Sequence, residues 1–254
     1  MIEKSKHILM MTLAAVVLLT GGSAWAQEGE PVDEANLPQL AVSEERFDFG
    51  RVTQGSSIAH VFWLKNVGGD TLKITDVKPG CGCTKAPLEK KELAVGDSTR
   101  VKLIFSTGHY SSRVTKSARV LCNAAGRLPR LTISADVKRN MDSLDIFTIT
   151  PYSLNLDTDR AGDYTLTLKN LHNTDLEFTV VSMPDDAVEI DLPPNLNLDA
   201  GEERQFRVHF KDNVAGELFT ESITFEANDP EKTRMTIPIV KSRRWGPAPT
   251  SSLN

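Results

Sequence analysis

The chain is poor in cysteine, with Cys81, Cys83 and Cys122 as its whole complement in 254 residues. That count excludes a disulfide-dense scaffold, so an ordinary hydrophobic core must hold the fold. It also lacks a basic surplus, with 29 Lys and Arg against 34 Asp and Glu. No Lys/Arg run is interleaved with aromatics, which argues against nucleic acid as a partner. No useful stretch spaces its apolar residues for an amphipathic helix. No Gly-rich phosphate loop follows a strand and opens a helix. The serines fall in polar turns such as "GSS" and "YSS", and no nucleophile–base–acid set emerges. Enzyme is therefore the least supported class, and catalytic residues are expected to be none.

Long apolar runs are scarce too. The one at 8–20, "ILMMTLAAVVLLT", follows Lys4 and Lys6 and precedes "GGSAWA". It is short for a membrane span, and Ala24 and Ala26 stand where a signal peptidase needs small residues. Residues 1–26 are expected to be a cleaved signal peptide, leaving an exported, soluble protein that begins at Gln27, periplasmic or extracellular. Cleavage removes Lys4, Lys6 and Glu3, leaving 27 basic against 33 acidic residues.

What the chain does have is an internal repeat. "HVFWLKNVGGDTLKITDV" (60–77) aligns with "YTLTLKNLHNTDLEFTVV" (164–181), and "LAVGDSTRVKLIF" (93–105) with "LDAGEERQFRVHF" (198–210). "RVLCNAAGRLPRLTI" (119–133) aligns with "TFEANDPEKTRMTI" (224–237), and the offset stays near 104 or 105 throughout. Each copy consists of short period-2 runs parted by Gly, Asn, Asp and Pro, the signature of strands. Val101, Leu103 and Phe105 face one way, as do Phe206, Val208 and Phe210. Roughly seven strands in about 100 residues suits an immunoglobulin-like sandwich. The expected fold is all-β: an acidic flexible leader (27–41), a sandwich (42–138), a linker (139–145), a second sandwich (146–241) and a disordered tail (242–254). No single sheet is expected to run through both copies.

"FDFGRV", "HVFWLKNVG", "CGCT" and "LAVGDSTRVKLIF", in that order, resemble the bacterial domain of unknown function 1573 across residues 42–137. That family is similar to the ASPM–SPD2–Hydin type of immunoglobulin-like module. The resemblance implies an exported sandwich domain and brings no activity with it. The second copy lacks both "FDFG" and "CGC".

The Cys81-Gly82-Cys83 loop carries most of the possible chemistry. With strands at 58–66, 71–79, 99–106, 115–123 and 130–137, alternating strand direction places His60, Cys81, Cys83, His109 and Tyr110 at one pole. Cys122 falls at the other, about 20 Å away at 3.3 Å per residue. A disulfide needs Cα atoms within about 7 Å, so Cys122 cannot reach the pair. Cys122 aligns with Ala227 and is expected to be a small core residue. For Cys81 and Cys83 two outcomes stay open. One is a labile local disulfide, with Gly82 allowing the bend. The other is a soft-metal clip for Cu(I) or Zn(II) completed by His60 or His109; the bland readings are a packed His60 and a solvated His109. Asp157, Asp159 and Asp163 lack the glycine and glutamate of a calcium loop and read as a solvated turn.

One surface stands out. Val61 and Trp63 lie on the outward side of their strand where the second copy has Thr165 and Thr167. Exposed apolar residues on a strand often mark a protein contact. The alternative is that the leader or the second sandwich covers Trp63. The sequence thus favours a non-catalytic binding or scaffolding protein with no resident cofactor. A thiol-redox or copper/zinc role for the Cys81–Cys83 loop is the alternative.

Overall fold

The computed structural model describes residues 36–124, 126, 128–141, 146–156, 162–211 and 218–241. The expected signal peptide, most of the expected leader, part of the expected linker, residues 157–159 and the expected tail lie outside the described residues. Among the described residues there is no α-helix, and none that is long and apolar enough to cross a membrane.

Among the described residues the first copy contains nine strands. These are β1 (Leu40–Val42), β2 (Arg46–Thr53), β3 (Ser57–Asn66), β4 (Leu72–Pro79), β5 (Thr84–Lys85), β6 (Glu92–Leu93), β7 (Ser98–Ser106), β8 (Arg113–Cys122) and β9 (Arg130–Lys138). The second copy adds β10 (Phe147–Thr150), β11 (Leu154–Leu156), β12 (Asp163–Asn170), β13 (Leu176–Ser182), β14 (Val188–Ile190), β15 (Asn195–Leu198), β16 (Glu203–Phe210), β17 (Phe219–Ala227) and β18 (Arg234–Lys241).

Topology repeats with the sequence. One sheet of the first copy runs β1-β3-β7-β5 and its counterpart runs β10-β12-β16-β14. The facing sheets run β6-β4-β8-β9-β2 and β15-β13-β17-β18-β11, with β2 parallel to β9 as β11 is to β18. Even local pairs correspond, as Ile74 opposite Cys122 does to Phe178 opposite Ala227. Alternation drives each core: Phe62, Leu64, Val101, Leu103 and Phe105 are buried in the first, and Leu166, Leu168, Phe206, Val208 and Phe210 in the second.

The shared "LKN" has a structural cause. Asn66 and Asn170 are fully buried, and each amide ties down the turn that follows. Asn66 Nδ2 donates to the Asp70 and Leu93 carbonyls while its Oδ1 accepts from Gly68. Asn170 Nδ2 donates to Thr174 and Leu198, and its Oδ1 accepts from His172. A buried amide so fully satisfied specifies one turn geometry and no other.

Two expectations need correction. The leader is not free up to residue 41. Leu40–Val42 pair with β3, and the Leu37 and Gln39 carbonyls accept from Gly69 and Val67. Open amides at the β3 edge recruit this segment. Second, one sheet does run through both copies. Met235 on β18 bridges Arg51 on β2, joining the two five-stranded sheets into ten strands.

Around that bridge the copies dock closely. Thr236 Oγ1 donates to the Phe49 carbonyl at 2.6 Å, and Arg234 Nη1 to the Asp48 carbonyl at 3.1 Å. The Ala59 amide donates to Ser222 Oγ at 2.9 Å. Lys102 Nζ pairs with Glu221, and Arg100 Nη1 meets Asp186 at 2.7 Å. Gly50 of "FDFG" makes this approach possible, because it has φ +64° and faces the Arg234 backbone with no room for a side chain.

Candidate functional site: a groove between the sandwiches and the Cys81–Cys83 turn

β3 pairs with β7 along its whole length, but β1 covers its other edge only at Leu64–Asn66. In an antiparallel pair alternate residues turn their backbone groups away from the partner strand. Lys102, opposite Val61, donates its amide to Pro87 on the far side of β7. The Val61–Lys102 pair is therefore not hydrogen-bonded, and the Val61 amide and carbonyl point to the uncovered edge. Its neighbours in that row are satisfied, Ala59 by Ser222 and Trp63 by Ser43. Among the described residues the Val61 backbone has no partner on that edge.

This edge forms one wall of a groove of about 560 Å³. Ala59, Val61 and Trp63 face Val180, Val181, Met183 and Pro184 of the second copy, with Ile190, Leu192, Pro193 and Pro194 beyond them. Val181 sits where the β13–β17 register slips between Val180 and Ser182. Such a bulge re-aims a side chain, and Val181 and Met183 are each 36% exposed. Trp63 is 49% exposed, with the Arg100 guanidinium 5.8 Å from its ring centre. The second copy covers β3 as far as Val61 and leaves Trp63 out.

His60 lies at the base of this groove. Its ring stacks on Phe47 at 3.6 Å, Nε2 meets Glu44 at 2.9 Å and Nδ1 meets Ser182 Oγ at 3.1 Å. With both nitrogens engaged, the structure does not bring His60 to the cysteines as a ligand. Near it, burial raises the pKa of Glu221, an effect Lys102 opposes. Asp186 is shifted down, chiefly by its hydrogen bond from Arg100, whose own pKa is raised by Glu89 and Asp186.

Cys81 and Cys83 form a disulfide with Cα atoms 5.3 Å apart, in the turn that carries the chain from β4 to β5. Thr84 donates its amide to the Cys81 carbonyl, and the Cys83 carbonyl accepts from Ser106. Cys81 Sγ is 3.5 Å from the buried hydroxyl of Thr84. The second copy closes the equivalent crossover without cysteine: Thr84 opposite Phe105 corresponds to Val188 opposite Phe210.

His109 is exposed, and the fold uses its carbonyl, which accepts from Gln54. Among the described residues no three His, Cys, Asp or Glu side chains come together as a metal cluster. Cys122 is free and lies at the opposite end of β4, paired with Ile74. It is half-buried and not enclosed, because it ends β8, whereas its counterpart Ala227 is fully buried. That burial pushes its thiol pKa up, the wrong direction for a reactive thiolate.

Residues 40–137 match the family described as "Protein of unknown function (DUF1573)". That match spans the first sandwich. Three solved structures show a distant likeness to the chain. A protein of unknown function from Porphyromonas gingivalis W83 is 14% identical, with TM-score 0.32, covering 80% of this chain and 99% of its own. The ASH/PapD-like domain 7 of human CEP192 is 11% identical, with TM-score 0.35, covering 53% and 99%. WR4, a C. elegans MSP family member, is 13% identical, with TM-score 0.33, covering 39% and 100%. No curated protein matches. Sequence reasoning reached Val61 and Trp63 of the first sandwich but missed the opposing wall. The signal was present in "VVSMPDD" (180–186), aligned with the cysteine loop, but a local pattern does not say that it turns toward the other sandwich.

Proposed function

We propose that this chain is a non-catalytic, exported binding protein that holds an extended apolar segment of a partner protein in the groove between its sandwiches. The observation that carries this reading is the uncovered Val61 edge, one backbone donor and one acceptor flanked by exposed Trp63 and Met183. An extended segment laid there supplies both hydrogen bonds, and its alternate side chains reach the Val181–Met183 wall and Pro193–Pro194. The test is an array of apolar decapeptides probed with the full chain. Binding should fall at least tenfold in Trp63→Ala and in Val61→Asp, with the unfolding midpoint little changed. Absence of binding to any peptide, or binding that survives both changes, would overturn it.

A second reading is thiol–disulfide exchange, or Cu(I) or Zn(II) binding by the reduced pair, at Cys81 and Cys83. It is favoured by their bond in an accessible turn, which suits an oxidising compartment. Thiol counting and metal titration before and after reduction separate it from the groove. The proposed address is tested by N-terminal sequencing of the exported protein, which should begin at Gln27.

A further inference from the structure

The outer face of the β4-β8-β9 sheet carries Lys78, Arg119 and Arg130 directly opposite one another, Lys78 against Arg119 and Arg119 against Arg130. All three are exposed, and among the described residues none forms an ion pair. Arg130 has only a long contact to Ser117 Oγ, at 3.5 Å. Like charges directly opposite on neighbouring strands destabilise a sheet. A chain with a net charge of −5 had acids available to offset them. Asp76, on the same face, stands opposite Leu121 and outside the row.

The repeat shows what this face can do. In the second copy the residues paired across the corresponding strands in this order are Ser182, Thr224 and Thr236. That row is covered by the first sandwich: Ser182 meets His60, Thr236 meets Phe49, and Thr224 bonds Thr236 at 2.8 Å. A neutral hydroxyl row can lie under another sandwich at little cost. Three cations cannot, because burial without counter-charge is prohibitive. The occupant of this row must bring negative charge. The row is also recessed: its side chains line a pocket of about 340 Å³ with Pro79, Gly80, Ser117 and Leu121. A recess of this kind suits a compact anion better than a flat acidic surface.

We propose that Lys78, Arg119 and Arg130 form a binding site for a multiply charged oxyanion, a phosphate or sulfate group. Two guanidinium forks and an ammonium supply planar and point-charge donors to such oxygens. Strands about 4.8 Å apart set the outer cations roughly 10 Å apart at their backbones, within reach of one diphosphate. The site is independent of the groove.

The test is thermal unfolding of the full chain with pyrophosphate, against chloride at matched ionic strength. Pyrophosphate should raise the midpoint in proportion to log concentration once the site is filled. Arg119→Gln should abolish that rise and leave the ligand-free midpoint unchanged or higher, because it removes repulsion; a merely structural arginine would lower it. Lys78→Gln is the second variant and should weaken the response at least fivefold. A free phosphate and an esterified one are separated by a sulfated oligosaccharide, which should compete only if the site accepts an anion carried on a larger molecule. No pyrophosphate response beyond chloride, or a response intact in Arg119→Gln, would overturn the site. So would tight binding of a poly-aspartate peptide with none of pyrophosphate.

Discussion

Gly50 lies against Arg234 so closely that a Cβ there would come within 2.2 Å of the Arg234 carbonyl oxygen and 2.4 Å of its Cβ. The contact joins "FDFG" of the first sandwich to β18 of the second. Gly50→Ala should cost about 1–2 kcal/mol for its left-handed backbone alone, and more for the separation it forces. Gly55→Ala is the control, with φ +76° and nothing within 4 Å. Calorimetry should show a larger drop for Gly50→Ala by several degrees, at about 2–4 °C per kcal/mol for a chain of this size. Equal drops would mean that the contact contributes nothing.

The two ion pairs of the same junction should respond to pH in opposite senses. The folded pKa of Glu221 is raised by burial, so its contribution is fully present below the unfolded carboxylate pKa and lost as pH rises through the folded value. Glu221→Gln removes that loss, so the variant should gain on the parent in urea unfolding as pH rises above the unfolded glutamate pKa of about 4.3. Asp186 is depressed by Arg100, so its contribution is present above the unfolded pKa and lost as pH falls. Asp186→Asn should therefore lose ground on the parent as pH rises toward the unfolded aspartate pKa of about 3.9, and differ from it by a constant amount above that. Parallel pH profiles for parent and both variants would contradict the assignment.

Replacing both Cys81 and Cys83 by Ser should barely move the unfolding midpoint. The second copy makes the corresponding β13-to-β14 crossover at 183–187 with no cysteine. So small a ring removes little chain entropy, far less than the roughly 3 kcal/mol of a 15-residue loop. A drop of more than about 5 °C in differential scanning fluorimetry would make the pair a structural staple. Any thiol exchange or metal uptake should vanish with it.

Asn66→Ala and Asn170→Ala should be among the most damaging single changes in their sandwiches. Each leaves buried carbonyls and an amide without their partner. At about 1–3 kcal/mol for each group stranded, a loss of several kcal/mol is expected for either variant. Urea unfolding measures it, and a loss below about 1 kcal/mol in either would refute the turn-organising role.

What the sequence determined by itself was everything carried by short-range pattern. Period-2 alternation in "RVKLIF" and "QFRVHF" sets which side chains face inward, because successive residues of a strand must point to opposite faces. The constant repeat offset gave two copies of one topology, and strand direction separated Cys122 from Cys81 and Cys83. Tertiary structure alone decided how the copies meet. Alternation shows that a face is outward, but not what lies against it. Trp63 and Met183, or Gly50 and Arg234, become neighbours only when the β18–β2 bridge brings distant segments together. The Lys78, Arg119 and Arg130 row was invisible for the same reason. Its residues are 41 and 11 positions apart along the chain, and only strand register sets them side by side.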